Sequence, residues 1–290
     1  MQRLLIIGCG DVVSRALPWL TRRYRVYATV RTAAQGAELR TRGVTPILAD
    51  LDRPRTLARL AGIGHLVLHS APPQEHGVRD LRTRRLAAAL ARGQPPRRLV
   101  YISTSGVYGD CGGARVDETR PVRPQTARAR RRADAEAVLR RFGVRSGTAV
   151  AILRAPGIYA ADRLPLARLR RGDPVLAARE DVFTNHIHAE DLAHIAATAL
   201  WRGRPGRVYN AADDSEMKMG DYFDLVADAF GLPRPPRVSR AEAGARLGAA
   251  ALSFMGESRR LANGRIKREL GIRLKYPTVA SGLAAATHKK

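Results

Sequence analysis

Leu4-Leu5-Ile6-Ile7-Gly8-Cys9-Gly10-Asp11-Val12-Val13 decides the fold. Four consecutive apolar residues make a strand buried on both faces, and a glycine pair directly after it opens a helical stretch over Val12–Thr21. Strand, Gly-x-Gly and helix in that order are the elements that let backbone N–H groups and a helix N-terminus hold a pyrophosphate. Gly8 suits the tight turn and Gly10 the close approach of phosphate, with Asp11 and Val12 forming the first turn beside them. The third glycine of Gly-x-Gly-x-x-Gly is replaced by Val13, which should push the helix slightly outward without abolishing the site.

Outward from this stretch the pattern repeats. Short apolar runs at Val26–Val30, Pro46–Ala49, His65–His69, Leu99–Ser103 and Ala149–Leu153 alternate with helical stretches at Ala33–Arg42, Arg55–Ala61, Val78–Ala91 and Ala127–Phe142. Strands alternating with helices predict a doubly wound α/β fold: a parallel Rossmann sheet with a smaller C-terminal substrate lobe. Residues 1–155, completed by about 183–211, form the expected NAD(P)-binding domain, and 156–182 with 212–290 the lobe. In the lobe, helices are expected at Arg163–Arg170, Met219–Phe230, Arg240–Phe254 and Glu257–Leu270, with Phe254 and Met255 as packing residues and an alanine-rich tail ending in Lys289-Lys290.

The end of the second strand distinguishes between cofactors. An NAD-type site places Asp or Glu there for the ribose 2′-hydroxyl, but the residues are Thr29-Val30-Arg31-Thr32. Arg31 can pair with a 2′-phosphate and stack on adenine, so NADP(H) is favoured over NAD(H).

The 290 residues carry 51 basic and 26 acidic side chains, a net charge of +25. Only five of the basic residues are lysines, and the arginines are scattered from Arg3 to Arg273 instead of gathering in a stripe or tail. That dispersion argues for a compositional bias and against a nucleic-acid function. Cys9 and Cys111 lack the spacing of a disulfide framework or zinc site, and no metal is expected. His186 and His188 share a strand face without a third ligand, so His188 is read as capping the helix near Glu190. The N-terminal apolar run is too short for a signal peptide and no later run reaches a membrane span, which predicts a cytoplasmic protein without a membrane partner.

Several further segments carry a resemblance. Asp50-Leu51, Ser70-Ala71-Pro72, the run Val100 to Gly109 containing Ser103-Thr104-Ser105-Gly106-Val107-Tyr108-Gly109, Asp117-Glu118 with Pro121, Ile187-His188-Ala189-Glu190-Asp191-Leu192-Ala193, Val208-Tyr209-Asn210 and Lys267-Arg268-Glu269-Leu270-Gly271 with Pro277 follow one another in order. Together they resemble the extended short-chain dehydrogenase/reductase superfamily, the NAD-dependent epimerases and dehydratases of nucleotide sugars. The resemblance implies that Asp50 and Leu51 contact adenine and that Ser70, Ala71 and Pro72 pass beside the cofactor. It also implies that Thr104 orients a substrate oxygen and that a homodimer forms through the helices after the fourth and fifth strands. The arginines on those two helices weigh against a tight contact, because buried like charges repel.

The family's Tyr-x-x-x-Lys pair is missing. Its positions fall on Arg128 and Arg132, and no tyrosine occurs between Tyr108 and Tyr159. Arginine has no acceptor and keeps its proton, so Arg128 cannot act as a base, whereas Arg132 can still donate to the nicotinamide ribose. At i and i+4 the two share a helix face and could hold an anionic group, the alternative being a solvated helix edge with Arg130 and Arg131. Tyr108 and Tyr159 are alternative proton carriers, against a packing role for both. Ser105, Tyr108 and Asn185 are candidate substrate contacts. Two functions stay open: an NADP(H)-dependent oxidoreductase or epimerase acting on a small anionic or nucleotide-linked molecule, and a catalytically silent NADP(H)-binding sensor or scaffold.

Overall fold

The computed structural model describes residues 1–248, 252–253 and 255–287. Seven strands form one sheet: β1 (Arg3–Ile7), β2 (Arg25–Val30), β3 (Thr45–Leu48), β4 (Leu66–His69), β5 (Arg98–Thr104), β6 (Ala149–Ala155) and β7 (Val208–Asn210), in the spatial order β3-β2-β1-β4-β5-β6-β7. Every pairing in it is parallel. The doubly wound Rossmann sheet expected from the alternation is therefore present.

Alternation of side chains along β1 shows why the strand needs four apolar residues in a row. Leu4 and Ile6 enter the core on one face of the sheet, and Leu5 and Ile7 the core on the other. Helices α1 (Asp11–Arg23), α2 (Ala33–Thr41) and α5 (Ala189–Arg202) cover the first face; α3 (Leu81–Leu90) and α4 (Ala127–Ser146) cover the second. The stretch Arg55–Ala61 forms a 3₁₀ turn over Pro54–Leu60. α3 starts at Leu81, three residues later than expected, because the Asp80 carboxylate accepts the Thr83 N–H and sets the N-cap there.

α1 contains a proline in its interior. Pro18 cannot donate to the Ser14 carbonyl one turn back, and the Arg42 guanidinium donates to that carbonyl instead at 2.6 Å.

The C-terminal part builds its own apolar cluster from Tyr159, Leu169, Val175, Tyr222, Phe223, Val226, Val279 and Leu283. The helix Met219–Ala229 supplies one side of it. Two sequence expectations are corrected here. Glu257–Leu270 is helical only over Gly264–Leu270, because Arg260–Leu261 is drawn into a parallel pairing with Arg115–Val116. The helix from Arg240 ends at Arg246, because Leu247 turns to extended backbone (φ −113°, ψ 144°) and breaks the expected continuation; Phe254 itself and the tail at Lys289-Lys290 lie outside the described residues. Met255 is buried beside Leu176 and Ala243, as a packing residue should be. Among the described residues no helix is long and apolar enough to cross a membrane.

Candidate active site

The sheet order reverses between β1 and β4, and a crevice opens at such a switch point beyond the strand ends. Here it is a cleft of about 620 Å³. Gly8, Gly10, Asp11, Val12, Arg31, Asp50, Leu51, Ser70, Ala71 and Pro72 all line it, as do Thr104, Arg128 and Arg132. Residues from six separate stretches of chain thus meet around one space.

At the β1 end the backbone is tightly tied. Gly8 has φ +85°, and a Cβ there would stand 2.7 Å from the Ala71 nitrogen, so the residue must be glycine on two counts. Ser70 donates its hydroxyl to the Gly8 carbonyl, and the Ala71 N–H donates to the Ile7 carbonyl at 3.0 Å. Gly10, by contrast, has open space where a Cβ would stand. It is the N-cap of α1 and offers no side-chain cap, whereas Thr32, Asp80, Thr126 and His188 cap α2, α3, α4 and α5. The first-turn N–H groups of α1 are left to a ligand, which fits a cofactor phosphate. Val13 is buried in the core below.

Arg31 follows β2, its backbone N–H held by the Gln35 side chain at 3.1 Å. Glu38 and Gln35 of α2 line the cleft beside it. The opposite wall is fixed by Arg82, which donates to Asp52 and to the carbonyls of Pro72 (3.1 Å) and Pro73 (3.3 Å), while Arg85 donates to the Leu51 carbonyl (3.1 Å). The Arg82 guanidinium bound to Asp52 holds its carboxyl below the usual carboxylate range, against the opposing effect of burial.

At the β5 end Thr104 accepts the Gly106 N–H on Oγ1 at 3.2 Å, which leaves its own hydroxyl proton to point elsewhere. Arg132 donates to the Tyr101 hydroxyl (2.9 Å) and the Ile102 carbonyl (3.2 Å). Tyr101 is no substitute for the missing phenol: it is fully buried, and burial pushes its pKa up to about 12 despite Arg132. Its neighbour His69 is held neutral, burial first and Arg132 second lowering its pKa to about 3. Of the four arginines near the start of α4, Arg131 is buried and donates to the Gly77 carbonyl at 2.6 Å, so the stretch is more than a solvated edge.

Below this end lies an ion pair that the sequence reading did not anticipate. Glu136 of α4 receives Arg154 of β6 at 3.1 and 2.7 Å and the Ser103 hydroxyl at 2.7 Å, and both charged residues are buried. The Arg154 guanidinium also lies over the Tyr108 ring, 4.6 Å from its centroid.

Ser105, Tyr108 and Asn185 are not among the residues that line the cleft. Tyr108 is buried and donates to Asn210 at 2.8 Å. Asn185 donates to the Arg259 carbonyl (2.9 Å) and accepts the Leu261 N–H (2.7 Å), which clamps the strand that replaced the expected helix. Tyr159 donates to the Thr278 carbonyl at 3.1 Å within the lobe core. His188 caps α5, its Nδ1 accepting the Glu190 N–H at 3.2 Å. Among the described residues no three His, Cys, Asp or Glu side chains gather as a metal site requires. Arg82, Glu38 and Arg163 line the cleft without a prior sequence signal, since each arrives from an element whose partner is set by tertiary packing.

Solved structures share this architecture. A functionally unknown conserved protein from Silicibacter pomeroyi DSS is 32% identical, with a TM-score of 0.80 over 100% of this chain and 99% of that one. The dTDP-glucose 4,6-dehydratase DesIV from Streptomyces venezuelae, solved with NAD and TYD bound, is 21% identical at a TM-score of 0.78, covering 99% of this chain and 96% of its own. The dTDP-D-glucose 4,6-dehydratase of Mus musculus is 25% identical over 130 residues, which are 42% of this chain and only 37% of the mouse protein. The model of the NAD dependent epimerase/dehydratase family matches residues 18–212, from within α1 to just beyond β7. On that match, and with a parallel sheet whose switch-point cleft has a glycine turn and an uncapped helix, the chain belongs to the NAD dependent epimerase/dehydratase family.

Proposed function

We propose that this protein is an NADP(H)-dependent oxidoreductase or epimerase acting on a small anionic or nucleotide-linked polar molecule. The observation that carries the reading is the continuity of one cleft from the α1 N-terminus, past Arg31, to Thr104, Arg128 and Arg132. A bound nicotinamide would supply hydride transfer. Thr104 would donate its free hydroxyl proton to a substrate oxygen, and Arg132, anchored by Tyr101 and the Ile102 carbonyl, would direct its remaining N–H groups at ribose or substrate. Arg128, with Arg132 one turn away, would bind the substrate's negative charge. The cytoplasmic location and a homodimer through α3 and α4 belong to the same reading; light scattering at micromolar concentration tests the dimer.

Arg31 supports NADP(H), and Glu38 across the same part of the cleft is the feature that could favour NAD(H). Fluorescence titration with both reduced cofactors decides: tighter binding of NADPH is expected, and tighter binding of NADH overturns the preference.

A second reading has its own observation. Among the described residues no tyrosine, histidine or lysine lines the cleft, so a silent NADP(H) sensor or scaffold is the competitor. Label exchange from deuterated NADPH by the unmodified protein would eliminate the silent reading. If exchange is absent but appears in the Arg128→Tyr, Arg132→Lys double variant, only the proton carrier was lacking.

A further inference from the structure

The lobe reaches the glycine turn through one short segment. The turn Ala161–Arg163 follows the strand Gly157–Tyr159, and its Arg163 guanidinium donates to Asp11 Oδ2 at 2.8 Å. Asp11 is the first residue of α1 and also accepts Arg15, at 3.1 and 2.8 Å, while Arg15 binds both oxygens of Asp162 at 2.9 Å. Four residues therefore form an alternating chain of charge, Arg163–Asp11–Arg15–Asp162, that joins the lobe to the glycine-turn end of the cleft. Burial opposes the charge on Asp11, but Arg163 and Arg15 together hold its carboxyl below the ordinary range.

This placement of charge needs an explanation. A carboxylate in the first turn of a helix satisfies the helix dipole, yet here it stands beside the N–H groups that a diphosphate would use. Two phosphates arriving next to Asp11 would meet like charge unless a cation came with them. Of the other cations along the cleft, Arg82 is bound to Asp52 and the Pro72 and Pro73 carbonyls and Arg132 to Tyr101 and the Ile102 carbonyl, while Arg31 follows β2 and Arg128 stands on α4 at the β5 end. Arg163 lines the cleft and touches the α1 N-terminus, and its pair with Asp11 is partly exposed on both sides (38% each), so water and ions compete for it and exchange of partner is cheap.

We propose that Arg163 is a cofactor-binding residue contributed by the lobe: its guanidinium leaves Asp11 for the diphosphate of a bound dinucleotide. The proposal rests on the dinucleotide reading above. Arg15 keeps both Asp11 and Asp162 when Arg163 moves, so the turn stays anchored while one donor changes partner.

Binding of NADPH and of adenosine 2′-monophosphate, which lacks the diphosphate, is measured by calorimetry on the whole chain. Arg163→Gln should weaken NADPH about tenfold and leave adenosine 2′-monophosphate within twofold, the latter also showing that the variant is folded. Asp11→Asn, which removes the competing carboxylate, should tighten NADPH about threefold and lose that gain in the double variant with Arg163→Gln. Unchanged NADPH affinity in Arg163→Gln, equal loss of both ligands, or weaker NADPH binding in Asp11→Asn overturns the role of Arg163 alone. If the unmodified chain binds neither NADPH nor NADH, the dinucleotide reading fails and this proposal fails with it.

Discussion

The two ends of the cleft are built on opposite plans. At the glycine turn the backbone does the work: Gly8 is fixed by its close approach to Ala71, Gly10 leaves open space, and α1 begins without a side-chain cap. At the β5 end the work falls to side chains, with Thr104, Arg128 and Arg132 above a buried Glu136–Arg154 pair. A backbone site tolerates little change in geometry but much in neighbouring side chains. A side-chain site does the reverse, so changes of residue at that end can leave the fold beneath unaltered.

The largest effect is expected from breaking the floor of the β5 end. Glu136→Gln removes the carboxylate that pairs with the buried Arg154 and should cost about 3–5 kcal/mol in urea unfolding. A loss under about 1 kcal/mol would mean that Arg154 is satisfied by the Tyr108 ring and solvent, and that the two ends differ less than described.

His69 lies between the two ends, at the last position of β4 and against Tyr101. Its folded pKa, about 3, is below the unfolded value near 6.5, so the unfolded chain takes up the extra proton between those limits. The stability it contributes is present above pH 6.5 and is lost as pH falls toward 3, by about 1.4 kcal/mol per pH unit in the middle of that window. His186, also lowered to about 3 by burial, adds a parallel loss. Unfolding followed from pH 7 to 4 in the parent and in His69→Gln should show a shallower slope in the variant; identical slopes would remove His69 from the account.

A smaller change in stability, with a sharp change in function, is expected at the glycine turn. Gly8→Ala forces a Cβ against Ala71 at positive φ and should cost about 1–3 kcal/mol while abolishing NADPH binding. Retained binding would show that the turn can shift, contrary to a site made of backbone.

The sheet was legible because its strands are fully buried runs whose composition survives without any knowledge of neighbours. Leu4 to Ile7 reads as a strand whichever helix packs on it. The lobe was less legible because its pairings involve two or three residues each, too short for a period of two to be seen. Arg260–Leu261 joins Arg115–Val116 across a long stretch of chain, and nothing local distinguishes it from a helical turn. That the glycine turn, Asp50-Leu51 and Ser70-Ala71-Pro72 share one end of the cleft followed from motif and spacing. At the other end, sequence makes Ser105, Tyr108 and Asn185 as eligible for contact as Thr104, Arg128 and Arg132; burial of all three, with the internal hydrogen bonds of Tyr108 and Asn185, sets them apart.

By itself the sequence determined the parallel sheet, the glycine turn and the absence of the tyrosine–lysine pair, because each is written in consecutive residues or fixed spacings. Tertiary structure alone decided which of the many arginines matter. Charge in one chain looks alike at every position; it acquires a role only through its partner, and Arg154 finds Glu136, Arg82 finds Asp52 and Arg163 finds Asp11 across distances in sequence that no local pattern spans.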